Sequence, residues 1–365
     1  MMPKFNWKVT YDGATVLSDI TGITVSRGRQ QIQDPFRAGT AVIEGRNLAG
    51  LPTIEVGKEV NIEILIGSTV YGSVFTGIVS DVQFTYGFTT DQDTWTIDVE
   101  DNLAVMGRAY TTAGFSFTAG DTVGQAMEDV AGDATGGDIG IGFFGSFTTS
   151  SKVSAQSLGN TNALELLNTL AFTEQAFLFS DGGIITCVPR SALGQGNLVG
   201  ELTDDASAVL VPTFFDKVEF RSFADSYYDR VVIEPAGLTA QAVGTGTRSF
   251  TGSSFDETTT QASNLADYVK ATLDVQDQVP SVISCLAEAQ PNYQLAQMAE
   301  ISNSFCQISL RLRGDDYTLF LLGLRLTVTP DSSRFTFNVA SSEALNFFVL
   351  DSTTFGVLDT SRLGF

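Results

Sequence analysis

Carboxylates are the only plentiful side chains in this sequence that could do acid–base work. The chain carries 42 Asp and Glu against 20 Lys and Arg, and it has no histidine. Histidine is the usual triad base, the commonest metal ligand and the commonest proton shuttle near neutral pH, so Ser-His-Asp and Cys-His hydrolases are excluded. Paired carboxylates remain as a route to glycoside hydrolysis, and Asp98-Glu100, Asp204-Asp205 and Asp315-Asp316 are the closest pairs. Asp98 and Glu100 share the polar parity of a strand, as a solvated strand face also would, and the other two pairs fall in turns. Asp91-Gln92-Asp93 begins like a calcium loop but runs into Thr94-Trp95-Thr96. It lacks the loop glycine and has Asn102 where the bidentate Glu belongs, so a hairpin turn accounts for it better. Gly136-Gly137-Asp138-Ile139-Gly140-Ile141-Gly142 lacks the Lys-Ser/Thr that grips a phosphate, and apolar Phe143-Phe144 follow it. Cys187, Cys285 and Cys306 are odd in number, far apart and without zinc spacing, which suits buried thiols made in a reducing cytosol. No catalytic residue, cofactor or metal is therefore expected.

The elements available to position such groups are mostly strands. Phe5, Trp7, Val9 and Tyr11 alternate with polar residues up to an Asp12-Gly13 turn, and Ile62, Ile64 and Ile66 alternate in a later strand. Val74, Ile78, Val82, Phe84 and Tyr86 fall on one parity, and Trp95, Ile97 and Val99 alternate on the return. That is an amphipathic hairpin, and its exit through Asp101-Asn102-Leu103-Ala104 turns the chain away from the sheet. The pattern becomes mixed from about Ala109. Thr122 with Gln125, and Asn162 with Glu165, precede apolar residues at helical spacing, with a glycine-rich loop over 132–145 between the two helices. Asp181-Gly182-Gly183 between two apolar runs marks another hairpin.

A second β segment starts near Val211 and is interrupted by helical spacing over 258–273 and, more weakly, over 292–301. Strands resume with Leu310 and Leu312, with Leu324, Leu326 and Val328, and with Phe335, Phe337 and Val339. The stretch from Gly323 can be laid on that from Gly77, with Phe335, Phe337 and Val339 falling on Trp95, Ile97 and Val99. Either this is an internal repeat, or any two amphipathic hairpins align this well. These six residues are the expected barrel core.

Composition bounds the rest. With 365 residues, 43% of them hydrophobic and 27 Phe, the chain can bury several cores and suits two to four domains. A net charge of −22 repels phosphate backbones and anionic membranes, so no specific nucleic acid is expected as a partner. DNA binding would require basic residues such as Arg27, Arg29, Arg37 and Arg46 to gather on one face. The first residues lack the apolar core of a signal peptide, and the most apolar run, 319–328, is broken by Gly323 and Arg325, so no membrane segment is expected.

Four stretches carry a resemblance. Residues 74–108 contain F-T-G, a long strand, a polar turn, W-T-I-D-V and D-N-L-A-V-M-G-R. Residues 162–190 look like a helix followed by a hairpin, and residues 214–233 contain Y-Y-D-R-V-V-I. Residues 347–365 read FFVLDSTTFGVLDTSRLGF. Together, in this order, they resemble bacteriophage tail hub proteins, which include baseplate hubs and the hub portion of siphophage minor tail proteins. The resemblance implies a mainly β protein with α+β insertions and two related small antiparallel β-barrels. The expected organisation is a first barrel over 1–108, an α/β domain over 109–208, and a second, split barrel over 209–236 and 305–346. A helical insertion over 237–304 and an extended docking tail over 347–365 complete it.

The same resemblance implies a structural protein of the virion tail, made in the bacterial host cytoplasm and not an enzyme. It would be a homotrimer surrounding the central channel, with six barrels over a six-fold tube. Implied partners are a tail tube or distal tail protein, tail tip or fibre proteins, and a tape-measure protein in the lumen. A distal tail or tube-adaptor protein would lack the second barrel. A carboxylate-based glycan hydrolase or a carbohydrate-binding β protein would be a free monomer. In the tail, Val349-Leu350-Asp351-Ser352 recurs as Val357-Leu358-Asp359-Thr360, and Phe355, Leu363 and Phe365 are expected assembly contacts, either against the chain's own second barrel or across a subunit boundary. Removing 347–365 should therefore prevent normal incorporation into tails, measured by sizing of the truncated chain and its copy number per particle. Normal incorporation would show that the tail is dispensable.

Overall fold

The computed structural model describes residues 6–13, 15–47, 52–66, 69–143, 151–181, 183–193, 198–204, 213–220, 228–274, 279–287 and 307–342. The first strands are β1 (Asn6–Tyr11), β2 (Thr15–Val16), β3 (Ile20–Gly28), β4 (Thr40–Arg46), β5 (Glu59–Ile66), β6 (Thr69–Thr85) and β7 (Thr94–Glu100). They lie side by side in the order β3-β4-β7-β6-β5-β1-β2. Period-two alternation explains them, since Val60, Ile62 and Ile64 are fully buried while Glu59, Asn61 and Glu63 are not.

Beyond β7 the chain forms a mixed layer. It contains α1 (Asn102–Arg108), β8 (Ser116–Phe117), α2 (Val123–Thr135), β9 (Ile141–Phe143), β10 (Gln156–Ser157), α3 (Ala163–Glu174), β11 (Phe177–Asp181), β12 (Ile184–Val188) and α4 (Arg190–Leu193). Thr122 and Gln125 make a full capping box at α2, and the Asn162 side chain accepts from Glu165 N at α3. Part of the expected glycine loop is helix: α2 runs to Thr135 before left-handed Gly136 stops it.

The chain then re-enters the large sheet with β13 (Leu198–Thr203), β14 (Thr213–Phe214) and β15 (Lys217–Phe220). It leaves for β16 (Arg230–Pro235), β17 (Gln241–Gly244), β18 (Ser249–Ser254) and α5 (Thr259–Asp274). It comes back with β19 (Pro280–Leu286), β20 (Gln307–Leu312), β21 (Asp315–Val328) and β22 (Ser333–Ser341). Here the structure differs from the expected boundaries. The insertion is not purely helical, because β16, β17 and β18 form a three-stranded sheet against α5. β16 belongs to that sheet, not to the second half of the large one. Conversely, β19, expected inside the insertion, pairs with β15 and β22, and β13, expected in the α/β domain, pairs with β20. The weaker helix over 292–301 lies outside the described residues.

The molecule is mainly β, and its large sheet has 14 strands in one hydrogen-bonded network. Among the described residues no sheet closes on itself into a barrel. One hydrophobic cluster joins both halves, with Trp95, Ile97 and Val99 in the same core as Phe335, Phe337 and Val339. The first strand reaches the last hairpin directly: the Trp7 indole donates to Ser333 Oγ at 3.1 Å and its ring lies 6.3 Å from that of Phe335.

The two halves repeat one another strand for strand. β3-β4-β7-β6-β5 and β15-β19-β22-β21-β20 are both antiparallel runs with the same chain order. The outer neighbours differ, β1 being antiparallel to β5 and β13 parallel to β20. A shared β-bulge fixes the alignment. Val79 faces Val99 and Asp81 faces Asp98, leaving Ser80 over, while Leu321 faces Val339 and Gly323 faces Asn338, leaving Leu322 over. Phe335, Phe337 and Val339 thus occupy the places of Trp95, Ile97 and Val99, but Gly323 corresponds to Asp81 and not to Gly77. The error is four residues, an even number, which period-two alternation cannot detect. The bulge also turns Ile78 off the core face, where Val79 takes over.

Packing opposite the equivalent aromatics is compensated. Gly45 faces Trp95, and a Cβ on Gly45 would sit inside the indole; Cys285 faces the smaller Phe335. Gly45→Cys alone should cost about 1 to 3 kcal/mol by overpacking, whereas adding Trp95→Phe should restore much of that loss. Replacing Trp95 or Phe337 by Ala should cost about 3 to 5 kcal/mol. Urea unfolding followed by circular dichroism measures these variants together with Trp95→Phe alone, and strict additivity of Gly45→Cys and Trp95→Phe would refute the equivalence.

Candidate assembly surface

The halves meet where Ile23–Gly28 of β3 pairs antiparallel with Gly323–Val328 of β21. β21 is long enough for two neighbours along one edge: Asp315–Phe320 pairs with β20 and the remainder with β3, while β22 covers the other edge. Gly28 and Gly323 face each other at the end of this seam. Gly28 has φ +80, and a Cβ on it would come within 2.6 Å of the Gly323 Cα, so a bare backbone is required there. Arg29 N donates to Leu322 O at 3.0 Å and holds the crossing point.

The internal repeat says which other strands have the shape of this seam. In the first half the continuation of β21 corresponds to β6 from Asp81 onward, and in the second half β3 corresponds to β15. Among the described residues, Asp81–Thr85 is paired only with β7, and β15 only with β19. Both edges carry exposed aromatics. Tyr86 is 72% exposed and Phe88 99% at the end of β6, and Phe220 is 45% exposed on β15. Large apolar side chains concentrated beside unpaired strand edges mark surfaces that pair with another chain. The Asp81 carboxylate accepts from the Val82 N–H at 2.9 Å, a charged cover on an otherwise open ladder. Sequence inspection missed these edges, although an aromatic such as Phe88 in a polar turn was a visible signal.

Behind the seam the exit turn after β7 is held by one buried carboxylate. Asp101, 4% exposed, accepts from Gly39 N at 2.8 Å and from Leu103 N at 3.0 Å, capping α1. Burial pushes its carboxyl up to about 7, against these backbone donors, Ala104 N and the charge of Arg27, which favour the anion. Arg27, Arg29 and Arg37 do gather in one cleft, together with Arg325, beside the seam. Arg27 is buried there, so only part of this basic cluster is presented to solvent.

One member of each carboxylate pair is engaged structurally. Glu100 pairs with Arg108, Asp316 with Arg311 at 2.7 Å, and Asp204 accepts from Arg313 N at 3.0 Å. The Arg311 hydrogen bonds hold the Asp316 carboxyl below its usual value. Asp98 sits on β7 opposite Val42 and Asp81, and Asp205 lies outside the described residues. Cys187 and Cys285 are buried free thiols, and Cys306 lies outside the described residues. Trp95, Ile97, Val99, Phe335, Phe337 and Val339 are each at most 4% exposed. The expected contacts Phe355, Leu363 and Phe365 lie outside the described residues. No helix among the described residues is long and apolar enough to cross a membrane.

No family model matches the sequence, and no curated protein matches it. Solved structures do. The 43 kDa tail protein of prophage MuSo2 from Shewanella oneidensis superposes with a TM-score of 0.65 at 14% identity, covering 93% of this chain and 99% of that one. A tail protein from Neisseria meningitidis gives 0.63 at 12% identity, covering 93% and 98%. An E. coli component of the type VI secretion system, described as structurally similar to the T4 tail proteins gp27 and gp5, gives 0.51 at 11% identity, covering 92% and 76%. The chain has a phage tail hub-like fold.

The buried carboxyl of Asp101 generates a pH test. In the folded chain it holds its proton more tightly than in the unfolded chain, where its value is 3.8. Its contribution to stability is therefore full below about pH 4 and lost as pH rises through about 7. Asp101→Asn should flatten the unfolding free energy between those values, as urea titrations at several pH values would record. An unchanged slope would assign the titration to another group.

Proposed function

We propose that three copies of this chain form a ring-shaped structural hub in a phage tail, between the tube and the tip. The observation that carries the proposal is the seam between the halves, whose two counterpart edges, on opposite halves of the same chain, have no strand neighbour among the described residues. Each half would be one of two related barrel-like units, completed by the neighbouring copy. If β15 of one copy meets β6 of the next as β3 meets β21 within the chain, Val218 falls opposite Tyr86 and Glu219 opposite Thr85. The contact is heterologous, using different surfaces on the two partners, and such contacts close into rings when the rotation allows. Three chains with two units each match a six-fold tube.

The role is architectural rather than catalytic, and three of the carboxylates that could have served hydrolysis, Glu100, Asp204 and Asp316, are engaged by Arg108, Arg313 N and Arg311. Neighbours in the virion would be a tail tube or distal tail protein on one face, tip or fibre proteins on the other, and a tape-measure protein in the lumen. A strongly anionic wall suits a channel through which DNA must pass without sticking. A single-unit distal tail or adaptor protein is disfavoured by the duplicated half.

Cysteine pairing tests the ring. Thr85→Cys and Glu219→Cys introduced together should give, on mild oxidation of assembled protein, a covalent trimer resistant to further growth, seen on non-reducing gels. Either substitution alone should give monomer. A ladder extending past the trimer, or only monomer from assembled tails, would overturn the proposed contact.

A further inference from the structure

The insertion rests on the α/β layer through a loosely packed joint. A cavity of about 210 Å³ lies between α3, β18 and α5, with Phe172, Phe250, Val269 and Leu273 in its walls. Side chains that face a void lose the contacts that would hold the two bodies together there. One extended segment does the fastening instead. On the layer side Val123 N donates to Ser151 O at 3.0 Å and Val153 N to Asp121 O at 2.9 Å. On the insertion side Ser154 N donates to Phe255 O at 2.9 Å, Glu257 N donates to Lys152 O at 3.0 Å, and Val153 bridges to Asp256.

Two buried carboxyls flank this segment. Glu174, the last residue of α3, is 3% exposed and accepts from Ser151 N at 2.7 Å. Asp256 is 1% exposed and accepts from Ser254 Oγ at 2.7 Å. Their chain neighbours are bonded to one another, Phe255 N donating to Thr173 Oγ1 at 3.0 Å, so the two carboxyls face across the joint. The Glu174 charge disfavours that of Asp256, and Arg190 of α4 is the cation that favours both. The Cys187 thiol of β12 and the Tyr268 phenol of α5 also feel Glu174. Burial pushes the thiol well above its ordinary value and the phenol up to about 12, so both stay neutral. Lys152 and Glu257 occupy the alternate positions beside the bridge, Lys152 exposed and Glu257 half-buried.

We propose that Glu174 and Asp256 form a proton-operated latch between the α/β layer and the insertion, closed while the pair carries at most one negative charge beside Arg190 and loosened when both carboxyls ionise. Two buried carboxylates beside one guanidinium leave a negative charge uncompensated, and the carbonyl end of α3 adds to it at Glu174. Burial accordingly pushes both carboxyls up, Asp256 to about 6 against its Ser254 hydrogen bond and Glu174 against the Ser151 bond and Arg190. With Asp256 at 3.8 when released, its contribution to closing is full below about pH 4 and lost as pH rises through about 6. The latch acts on the insertion alone and is independent of the ring contact.

Amide hydrogen exchange of the full chain, corrected for the intrinsic effect of pH, is the test. Protection over 151–157 and 249–256 should fall about tenfold between pH 5 and pH 7.5, while the seam over 323–328 should keep its protection. Asp256→Asn, which still accepts from Ser254, should hold at pH 7.5 the protection the parent has at pH 5. Glu174→Gln should shrink the pH dependence, and Asp101→Asn should leave it in place. If neither Asp256→Asn nor Glu174→Gln folds, the carboxyl carbon-13 shifts of the parent decide: Asp256 should titrate near 6. Equal protection at the two pH values would overturn the proposal, as would a pH dependence that survives Asp256→Asn, an Asp256 carboxyl that titrates near 4, or an Asp256→Asn that loses protection equally at both pH values and so shows Asp256 to be only a structural prop.

Discussion

Pairing of Ile23–Gly28 with Gly323–Val328 is the constraint on which the rest of the molecule depends. It makes two sheets into one, and β21 must serve β20, β22 and β3 at once to do so. The sequence of β21 reflects this. Residues 319–324 are buried without interruption, because Leu319, Leu321 and Leu324 enter the core shared by both halves, whereas Phe320 and Leu322 enter the core of the α/β layer. A strand buried on both faces is written as a continuous apolar run. Leu322, left over at the bulge, packs into the layer behind the sheet, and its carbonyl takes the Arg29 N–H that ends the seam.

Stability comes from these buried faces and ladders far more than from charge. The ion pairs given by the structure, such as Lys8–Glu63 and Arg311–Asp316, lie at least partly in solvent, where such pairs contribute about 0 to 1 kcal/mol. With 42 acidic against 20 basic residues, most carboxylates have no basic partner available at all. The excess acts through the field around the molecule, keeping copies and nucleic acid apart except where backbone edges and aromatic contacts offset the repulsion. Assembly of so anionic a chain therefore requires contacts rich in hydrogen bonds and apolar area, of the kind the seam already exemplifies.

Much of this was legible in the sequence, because hairpins and capped helices are local. The β6–β7 turn, the Thr122 and Asn162 caps, the β11–β12 hairpin and the residues of the shared core all follow from spacing. What was not legible depended on partners distant in sequence. Period-two patterning could not distinguish Gly323 on Gly77 from Gly323 on Asp81, nor reveal the bulge that takes Ile78 off the core face. β19 falls in the stretch assigned to the helical insertion, and only its pairing with β15 and β22 places it in the large sheet. An open edge is defined by a missing neighbour, and that absence has no signature in the chain itself.

The duplication also explains why one joint is internal and its counterpart exposed. Within the chain, β3 and β21 are tethered to one another, so their encounter is intramolecular and occurs at high effective concentration whatever the amount of protein. In the proposed ring the corresponding edges of β6 and β15 have no such tether and would meet only at concentrations set by assembly. An exposed ladder that waits must be protected meanwhile, and the two edges differ from the seam in that sense. Gly323, which lets backbones approach in the seam, is replaced at the equivalent place by Asp81, whose carboxylate occupies the Val82 N–H. A carboxylate on a free edge can be displaced by a strand that supplies backbone acceptors and aromatic contacts together, but it deters casual pairing. In the proposed ring the same unit serves once as a permanent joint and once as a conditional one, and Asp81 in place of Gly323 is one position of the repeat that separates them.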